Sequence, residues 1–510
     1  MEIAFAVWYN VFSVGTIYKF LFRSSISRGG FIIMDFNDIA AKGARAIANN
    51  YGKKVLKKGP APVIPKSETV SVSGEGYRLG FARADINPEE FGKKTYWIAG
   101  HGSGHQMEGV LTDVFVSAVW IDVGTDEGLV WLSGDIVGLT NIEVNEIRRR
   151  IMAEPEFSKC IGINFSCTHS HSGIDTVGYW GKANALHIPS NGKDPEYMEK
   201  LFSQSVKAAK EAFVNRTPGK LYTGRHSIEG GLYTPRRLPE KHEILTRLRF
   251  VPDNGSSETW LVNVGAHPNS LGGKNRMLSA EYPHFLRERV AEKTGANVLF
   301  GIGAIGGMDA AEFDKDDRVN NIKKQGEFFA DAAIAVDNDK LLEPVIKYNR
   351  RRFYLPVDNY VLLLLAMRGT MSFAPFACKE SGTGVAMRTE MTYMTFGSQK
   401  ILLLPGENFV CTVYGGYEPA ERSSTGKGPE INPAPLAEIC GDPEMIAYGV
   451  SNDMTGYVVA PNDFCLHPTQ AFLNPTNDVL GGRHYHETNS MGIKTQGVIA
   501  DTFAQLVKDF

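Results

Sequence analysis

The chain has 510 residues, of which 43% are hydrophobic and 22% are charged, and its formal net charge is −3. This is an ordinary globular composition, large enough for one big domain or roughly two to three average ones. The nearest candidate for a basic stripe is the short "KKVLKK" at 53–58, which is typical of a solvated helix face, so the charge pattern argues against a nucleic-acid partner. Six scattered cysteines without a C-x-x-C pair argue against a disulfide framework or a zinc knuckle and favour a reducing compartment.

Residues 1–76 are predicted to be an amino-terminal extension. The apolar stretch 3–22 has about the length of a membrane span, but it contains Asn10 and Lys19 and lacks the positive start of a signal peptide. A cytoplasmic location is favoured, while membrane anchoring, export and peripheral membrane contact stay open. Apolar spacing predicts a helix over 34–58, and prolines indicate a linker over 58–68.

Residues 77–510 are predicted to form the main domain. Short runs rich in valine and isoleucine, such as "GLVWLSGDIVGLT" and "CIGINFSCTHS", alternate with helical segments such as "YPHFLRERVAEKTG". This alternation is typical of an α/β fold in which helices cover layered, mixed sheets. The apolar "YVLLLLAM" at 360–367 is too short to cross a bilayer and is predicted to be core.

Polar, reactive side chains follow several of the predicted strands. Asp135 follows "VWLSG", the pair His169 and His171 follows "GINFSCT", His267 follows "LVNVGA", and Glu407 follows "ILLLPG". In α/β sheets, ligands bind beyond the carboxyl ends of the strands, so we expect these groups to converge.

Each of these residues also has an ordinary structural interpretation. His169 and His171 project to one side of an extended segment and can share a metal, but two exposed loop histidines fit the pattern as well. A histidine after an apolar run, such as His267, is often a hydrogen-bonded structural residue, and Glu407 follows a proline-glycine turn where exposed carboxylates are common. Taken singly, these residues favour the structural interpretation.

A family resemblance favours the functional interpretation. It is carried by seven stretches: "GFARADINPEE", "SGDIVGL", "NFSCTHSHSG", "NVGAHPNSLGGKNRMLSAEYP", "VLFGIGAIGGMDAA", "ILLLPGENF" and "SNDMTGYV". In their order and approximate spacing they resemble the neutral/alkaline, non-lysosomal ceramidase family. The resemblance implies that residues 77–510 form a ceramidase-like catalytic domain.

The resemblance implies one zinc ion. Its ligands would be His169, His267, Glu407 and Tyr457, because these match the two histidines, the glutamate and the tyrosine of the family's metal site. An earlier tyrosine of the family's last motif is Met454 here, which leaves Tyr457 as the candidate. Mixed imidazole and carboxylate ligation with an open position suits zinc and a reactive water.

The implied activity is hydrolysis of an N-acyl amide by attack of metal-bound water. His171 is expected to transfer a proton to the leaving amine. Arg236 matches a family arginine and is expected to stabilise the developing oxyanion, although without the resemblance a surface arginine in a proline-flanked turn fits equally well. Tyr457 counts among the catalytic residues as well as the ligands. Asp135 is expected to orient a ligand histidine, although a carboxylate capping a turn is an equally ordinary role for it.

The chain departs from the family at "GGMDA", residues 306–310. Gly307 stands where the family has aspartate, and Asp309 stands where it has serine or asparagine. The serine has been proposed as a nucleophile, so its absence favours direct attack by water, while Asp309 either takes a role in the site or caps a turn. The family's carboxyl-terminal immunoglobulin-like domain is also not matched, which marks the chain as a short form.

Three interpretations of the function follow. The first is a zinc-dependent amidohydrolase acting on a small-molecule or lipid N-acyl substrate such as ceramide. The second keeps the metal but cleaves another ester or amide. The third is a non-catalytic binding protein of the same fold, favoured by the altered "GGMDA" turn and opposed by intact candidates for all four ligands. No signal for an oligomeric state is present in the sequence.

Overall fold

The computed structural model describes residues 36–184, 188–236 and 241–510. The apolar stretch predicted at 3–22 lies outside the described residues. The described α-helices are α1 Phe36–Leu56, α2 Asn141–Ile151, α3 Pro195–Val214, α4 Tyr282–Thr294, α5 Arg318–Ile334, α6 Tyr360–Met367, α7 Val410–Tyr414, α8 Leu436–Ile439 and α9 Thr495–Lys508.

The strands cover the chain from residue 70 onwards. They are β1 Val70–Ser73, β2 Tyr77–Asp85, β3 Gly109–Val110, β4 Phe115–Asp122, β5 Gly128–Gly134, β6 Cys160–Cys167, β7 Thr217–Ser227, β8 Leu232–Tyr233, β9 Ile244–Pro252, β10 Thr259–Val264, β11 Met277–Leu278, β12 Asn297–Ile302, β13 Asp309–Ala310, β14 Lys340–Leu341, β15 Val345–Pro356, β16 Phe376–Ala377, β17 Val385–Phe396, β18 Gln399–Leu403, β19 Glu407–Asn408, β20 Ile446–Tyr448, β21 Tyr457–Val458, β22 Thr476–Asn477 and β23 Arg483–His484.

Two large sheets contain most of these strands. The first has the order β12-β10-β9-β7-β2-β4-β5-β6, with β14 on β7, and the second has the order β1-β15-β17-β18-β20, with β16 on β17. Both mix parallel and antiparallel pairs, for example β5 parallel to β6 and β4 antiparallel to β5. The predicted α/β fold with layered, mixed sheets is confirmed.

The two sheets face each other across an apolar layer. Side chains of both sheets share this layer, including Trp131 from β5, Phe250 from β9, Phe396 from β17 and Tyr448 from β20. On the outer faces, α3 packs on β2 and β4, α4 on β12, α5 on β9, and α9 on β15. Because β5 is covered on both faces, all seven residues of "GLVWLSG" are buried, which explains its continuous apolar run.

The crossing segment, residues 447–452, connects the two edges of the first sheet. It continues from β20, and just after that strand the Gly449 amide donates to the carbonyl of Ile302 at the end of β12. Further along, the Asn452 amide donates to Phe165 in β6, and Cys167 donates back to Val450. The carboxyl ends of β12 and β6 are thereby held close together, although these strands are at opposite edges of the sheet.

The amino-terminal part of the described chain packs onto the second sheet. β1 pairs antiparallel with β15, and α1 contacts α6, β16 and β17. The segment "YVLLLLAM" forms α6, and Leu363 is almost completely buried, as expected for core. No described helix combines the length and the apolar character needed to cross a membrane.

Candidate metal centre

His169 lies in the turn that follows β6. Its backbone adopts a left-handed conformation, with φ of 61°, which is uncommon for a residue other than glycine and typical of functional sites. The Nδ1 atom of its ring lies 2.6 Å from the backbone carbonyl of Val137, and the side chain is almost fully buried. The turn and this hydrogen bond direct the Nε2 atom into the interior.

His267 follows β10 and is held in the same manner. Its Nδ1 atom lies 2.8 Å from the carbonyl of Met308, and its backbone amide also donates to that residue. The segment after β12 that contains Met308 therefore fixes both the backbone and the ring of His267. Its Nε2 atom is left to face the interior.

Glu407 and Tyr457 lie side by side because β19 pairs in parallel with β21 in that register. The Oε2 atom of Glu407 lies 2.9 Å from Nε2 of His267 and 3.4 Å from Nε2 of His169. The ring of Tyr457 lies on the same side of the cluster, with its centroid 6.4 Å from that of His267. The structure thus brings together the four residues that the sequence suggested as ligands, and all four are buried.

The charges in this cluster are strongly coupled. Burial by itself raises the pKa of Glu407, but the charges and hydrogen bonds of His169 and His267 outweigh burial and hold it well below its ordinary value. Burial lowers the pKa of His267, but the hydrogen bond to Glu407 and the charges of Glu407 and Asp309 together raise it above its ordinary value. The pKa of Tyr457 is raised well above its ordinary value, first by burial and then by the Glu407 charge.

The hydrogen bonds also determine which ring nitrogens carry hydrogen. Because a carbonyl oxygen only accepts, the Nδ1 atoms of His169 and His267 are donors, and in the neutral rings the Nε2 atoms carry lone pairs. Both lone pairs face one carboxylate oxygen of Glu407, which is repulsive unless a proton or a cation lies among the three atoms. Two imidazole nitrogens and a carboxylate oxygen therefore fit a divalent cation that keeps an open position.

His171 completes a cluster of three histidines. Its Nε2 atom is 3.2 Å from that of His169, and one ligand atom from each of His169, His171 and His267 lies within 4.8 Å of the others, close enough to hold a metal ion. The Nδ1 atom of His171 is buried and has no hydrogen-bond partner among the described residues. Burial, followed by the neighbouring His169, lowers the pKa of His171 well below its ordinary value.

Gly100 makes the position of His171 sterically possible. A Cβ atom on Gly100 would lie 2.4 Å from the Cβ and Cγ atoms of His171, and the backbone of Gly100 has φ of 100°. Only glycine fits this close approach. The next residue, His101, stacks edge-on against His171 with ring centroids 5.1 Å apart.

The histidine centre opens into a cavity of about 490 Å³. Part of the lining belongs to one apolar cluster, which we call the Trp180 cluster and which consists of Ala99, Val137, Val177 and Trp180 with Tyr179, Met371 and Met454 packed against them. Leu362 of α6 and Met491 also line the cavity. Polar lining residues include Asn269, Asp309 and Tyr485.

Arg236 does not line this cavity. Its buried guanidinium donates to Glu487 at 2.7 Å and to Asp463 at 2.9 Å. Its connection with the centre is indirect, because Nη1 lies 3.1 Å from Nδ1 of His486, whose ring packs at 4.6 Å against the ring of Tyr457. Arg236 therefore fixes the position of His486, which packs against Tyr457. Its guanidinium is already paired with Glu487 and Asp463, so it is not placed to bind an oxyanion as expected.

Asp135 requires a correction, because its hydrogen bonds and ion pair go to neither His169 nor His267. Its two carboxylate oxygens accept from the buried guanidinium of Arg287 at 2.9 and 2.7 Å, and one also accepts from the Phe115 amide. The carbonyls of Val137 and Met308 orient the histidine rings instead. Asp135 does follow β5 as predicted, but its carboxylate forms an ion pair with Arg287 of α4.

Two residues of the site were not identified from the sequence. His101 lines the cavity, and its Nε2 atom is buried without a partner among the described residues. Glu281 connects the two histidine loops, because it accepts from the Ser172 hydroxyl at 2.6 Å and from the Leu271 amide at 3.2 Å. Burial raises the pKa of Glu281 to about 7. Glu281 has a left-handed backbone with φ of 58° and stands two residues before Pro283, but no local sequence pattern predicts that it contacts Ser172 and Leu271.

Comparisons with known proteins establish the fold. Neither a family model nor a curated protein matches this chain. Among solved structures, the neutral ceramidase from Pseudomonas aeruginosa matches with a TM-score of 0.60 and 15% identity, over 85% of this chain and 75% of that one. A ceramidase complexed with C2 matches with a TM-score of 0.58 and 14% identity over the same shares. The chain therefore has a neutral ceramidase-like fold, which confirms the resemblance at the level of the fold.

Proposed function

We propose that the protein is a zinc-dependent hydrolase that cleaves an N-acyl amide bond. One observation carries this proposal: two buried imidazoles, each oriented by a backbone carbonyl, face a single carboxylate oxygen of Glu407 within 3.4 Å. The cluster lines a cavity with an apolar part, in a fold similar to that of solved ceramidases. Each of these features suits amide hydrolysis, and together they favour it over the other interpretations.

His169, His267 and Glu407 would hold the zinc ion, with the Tyr457 hydroxyl next to Glu407 as the fourth ligand. A bound zinc ion supplies Lewis acidity, which polarises a carbonyl and makes water a better nucleophile near neutral pH. The rigid hydrogen bonds from the two Nδ1 atoms hold the rings in the ligating tautomer without further rearrangement.

His171 would handle the proton in this reaction. Hydrolysis adds a hydroxyl group to the acyl carbon and a proton to the leaving nitrogen, so a group at the site must take a proton from water and return it. His171 lines the cavity, lies 3.2 Å from His169, and has a free Nδ1 atom. This placement suits general acid–base catalysis, while the stacked ring of His101 limits the movement of His171.

The Trp180 cluster would bind the acyl group. It contributes aromatic, valine and methionine side chains to one side of the cavity and so offers a surface that excludes water from a hydrocarbon chain. Binding of the chain there would hold the amide carbonyl at the histidine centre. A small-molecule or lipid N-acyl compound is therefore the proposed substrate class.

Metal analysis combined with a substrate panel tests the proposal. The purified protein should contain one zinc ion per chain and cleave fluorogenic N-acyl amides faster than matched esters, and a chelator should abolish cleavage. Glu407→Gln should lower zinc affinity by more than about tenfold, because mutating even residues that only hydrogen bond to metal ligands typically costs that much. Glu312→Gln, at an exposed glutamate, is the matched control and should behave as wild type.

The outcomes separate the three interpretations. Zinc binding with faster ester cleavage would favour another zinc hydrolase. Zinc binding without any cleavage would favour a binding protein. A folded protein without zinc, in which Glu407→Gln changes nothing, would refute the metal centre itself.

A further inference from the structure

Asp309 presents its carboxylate to the cavity. Its side chain is 26% exposed, and Oδ1 accepts a hydrogen bond from the Asn269 amide at 2.9 Å. Its one ion-pair contact among the described residues is His267, whose Nδ1 lies 3.7 Å away and already donates to Met308. No described lysine or arginine pairs with Asp309, in contrast to the buried Asp135, which has Arg287.

The cavity has two chemically different sides, one at each ligand histidine. Val137 belongs to the Trp180 cluster, and its carbonyl contacts His169. Asp309 contacts His267 and is not part of that cluster. Both histidines face Glu407, so the apolar side and the anionic side flank the same centre.

We infer that the substrate carries a positively charged group, of the primary ammonium type, on its amine portion, and that Asp309 binds it. This inference rests on the proposed amide hydrolysis. With the acyl chain on the Trp180 cluster and the amide at Glu407, the amine portion extends past His267 towards Asp309. The substrate class is then an N-acylated diamine or polyamine, and Asp309 is a specificity-determining residue.

Charge and space both support this assignment. A partly enclosed carboxylate is stabilised by a cation, and a hydrogen bond to a charged group is about twice as strong as a neutral one. Asp309 and Gly307, two residues earlier, both line the cavity, whose volume of about 490 Å³ gives room for the amine portion. Asn269 fixes one carboxylate oxygen and leaves Oδ2 available to a ligand.

Two isosteric amides test the inference. In N-octanoylputrescine the amine portion ends in a primary ammonium group, and in N-octanoylpentylamine a methyl group takes its place. The zinc-loaded wild-type enzyme should cleave the first with a kcat/KM about tenfold to a hundredfold higher, as expected for one charged hydrogen bond. Asp309→Asn should reduce this ratio to about one with unchanged zinc content, and the exposed Asp253→Asn should leave the ratio as in wild type.

Failure of the inference and failure of the proposed function give different results. Equal cleavage of both amides by the wild-type enzyme would overturn the assignment of Asp309 and leave amide hydrolysis intact. If neither amide is cleaved, hydrolysis is refuted, and calorimetric binding of the two amides to wild type and Asp309→Asn decides the inference. Tighter binding of the ammonium compound by wild type alone would support it, and equal affinities would overturn it.

Discussion

Replacement of Arg287 by methionine tests whether Asp135 is an ion-pair partner or an orienting group of the metal centre. The guanidinium of Arg287 donates to both oxygens of Asp135, and the two side chains are only 6% and 1% exposed. In Arg287→Met, Asp135 keeps the hydrogen bond from the Phe115 amide but loses its charged partner. A buried carboxylate would then remain without a cation at hydrogen-bonding distance.

The expected loss of stability is large. At the observed 2.7 Å, two opposite charges attract each other by about 6 kcal/mol if the effective dielectric constant is roughly 20. Desolvation offsets much of this attraction in the intact pair, so removal of one partner should lower the free energy of unfolding by about 3–5 kcal/mol. The double variant Asp135→Asn/Arg287→Met, which buries no charge, should recover about half of that loss or more.

Urea unfolding of the wild type, both single variants and the double variant measures these differences, and zinc titration of the same proteins measures metal affinity. We expect zinc affinity to stay within about twofold of wild type, because the ligand histidines donate to carbonyls of Val137 and Met308. A loss of tenfold or more in zinc affinity in Asp135→Asn, at unchanged stability, would refute this reasoning.

Three further predictions concern the site. Burial raises the pKa of Glu281 from 4.5 to about 7, so between these values the folded protein holds a proton that the unfolded chain releases, and stability falls as pH rises. In wild type, the free energy of unfolding from urea titration should be up to about 3 kcal/mol lower at pH about 8 than at pH about 5, and Glu281→Gln should remove this difference. If wild type and Glu281→Gln show the same pH dependence, the raised pKa of Glu281 is refuted. Gly100→Ala should displace His171 and lower kcat at least about tenfold, whereas Gly59→Ala, at a similar φ but with open space around it, should leave kcat unchanged. Trp180→Ala should raise the KM for N-octanoyl amides about tenfold, through loss of roughly 1.5 kcal/mol of apolar contact, and an unchanged KM would place the acyl chain elsewhere.

Most of the fold was predictable because the buried strands are short, continuous apolar runs. The strand-end rule was also informative: His169, His267 and Glu407 follow β6, β10 and β18, and all three side chains meet. The rule worked here although β18 belongs to the second sheet, because the side chains that follow these three strands line the same cavity. It fails for Asp135, whose fate depends on Arg287, 152 positions away.

Other parts of the site depend on tertiary contacts that have no local pattern. The fold that the resemblance implied is confirmed, but His101 and Glu281 gained their positions only from loops folded against His171 and Ser172. The enclosure of Arg236 by Glu487 depends in the same way on a segment 251 residues further along the chain. Spacing and composition carry no information about such partners.

The crossing segment also has a consequence for the order of events during synthesis. His169 and His267 leave the ribosome long before residues 447–452, which hold the ends of β6 and β12 together, and Glu407 and Tyr457 bracket that segment in the chain. At roughly 5–20 residues per second, many seconds pass between synthesis of His267 and of Glu407. During that time the two histidines are present without the Glu407 carboxylate that lies against them in the folded protein. A cation at the proposed centre would therefore be captured only late in maturation, after almost the whole of this chain has been translated.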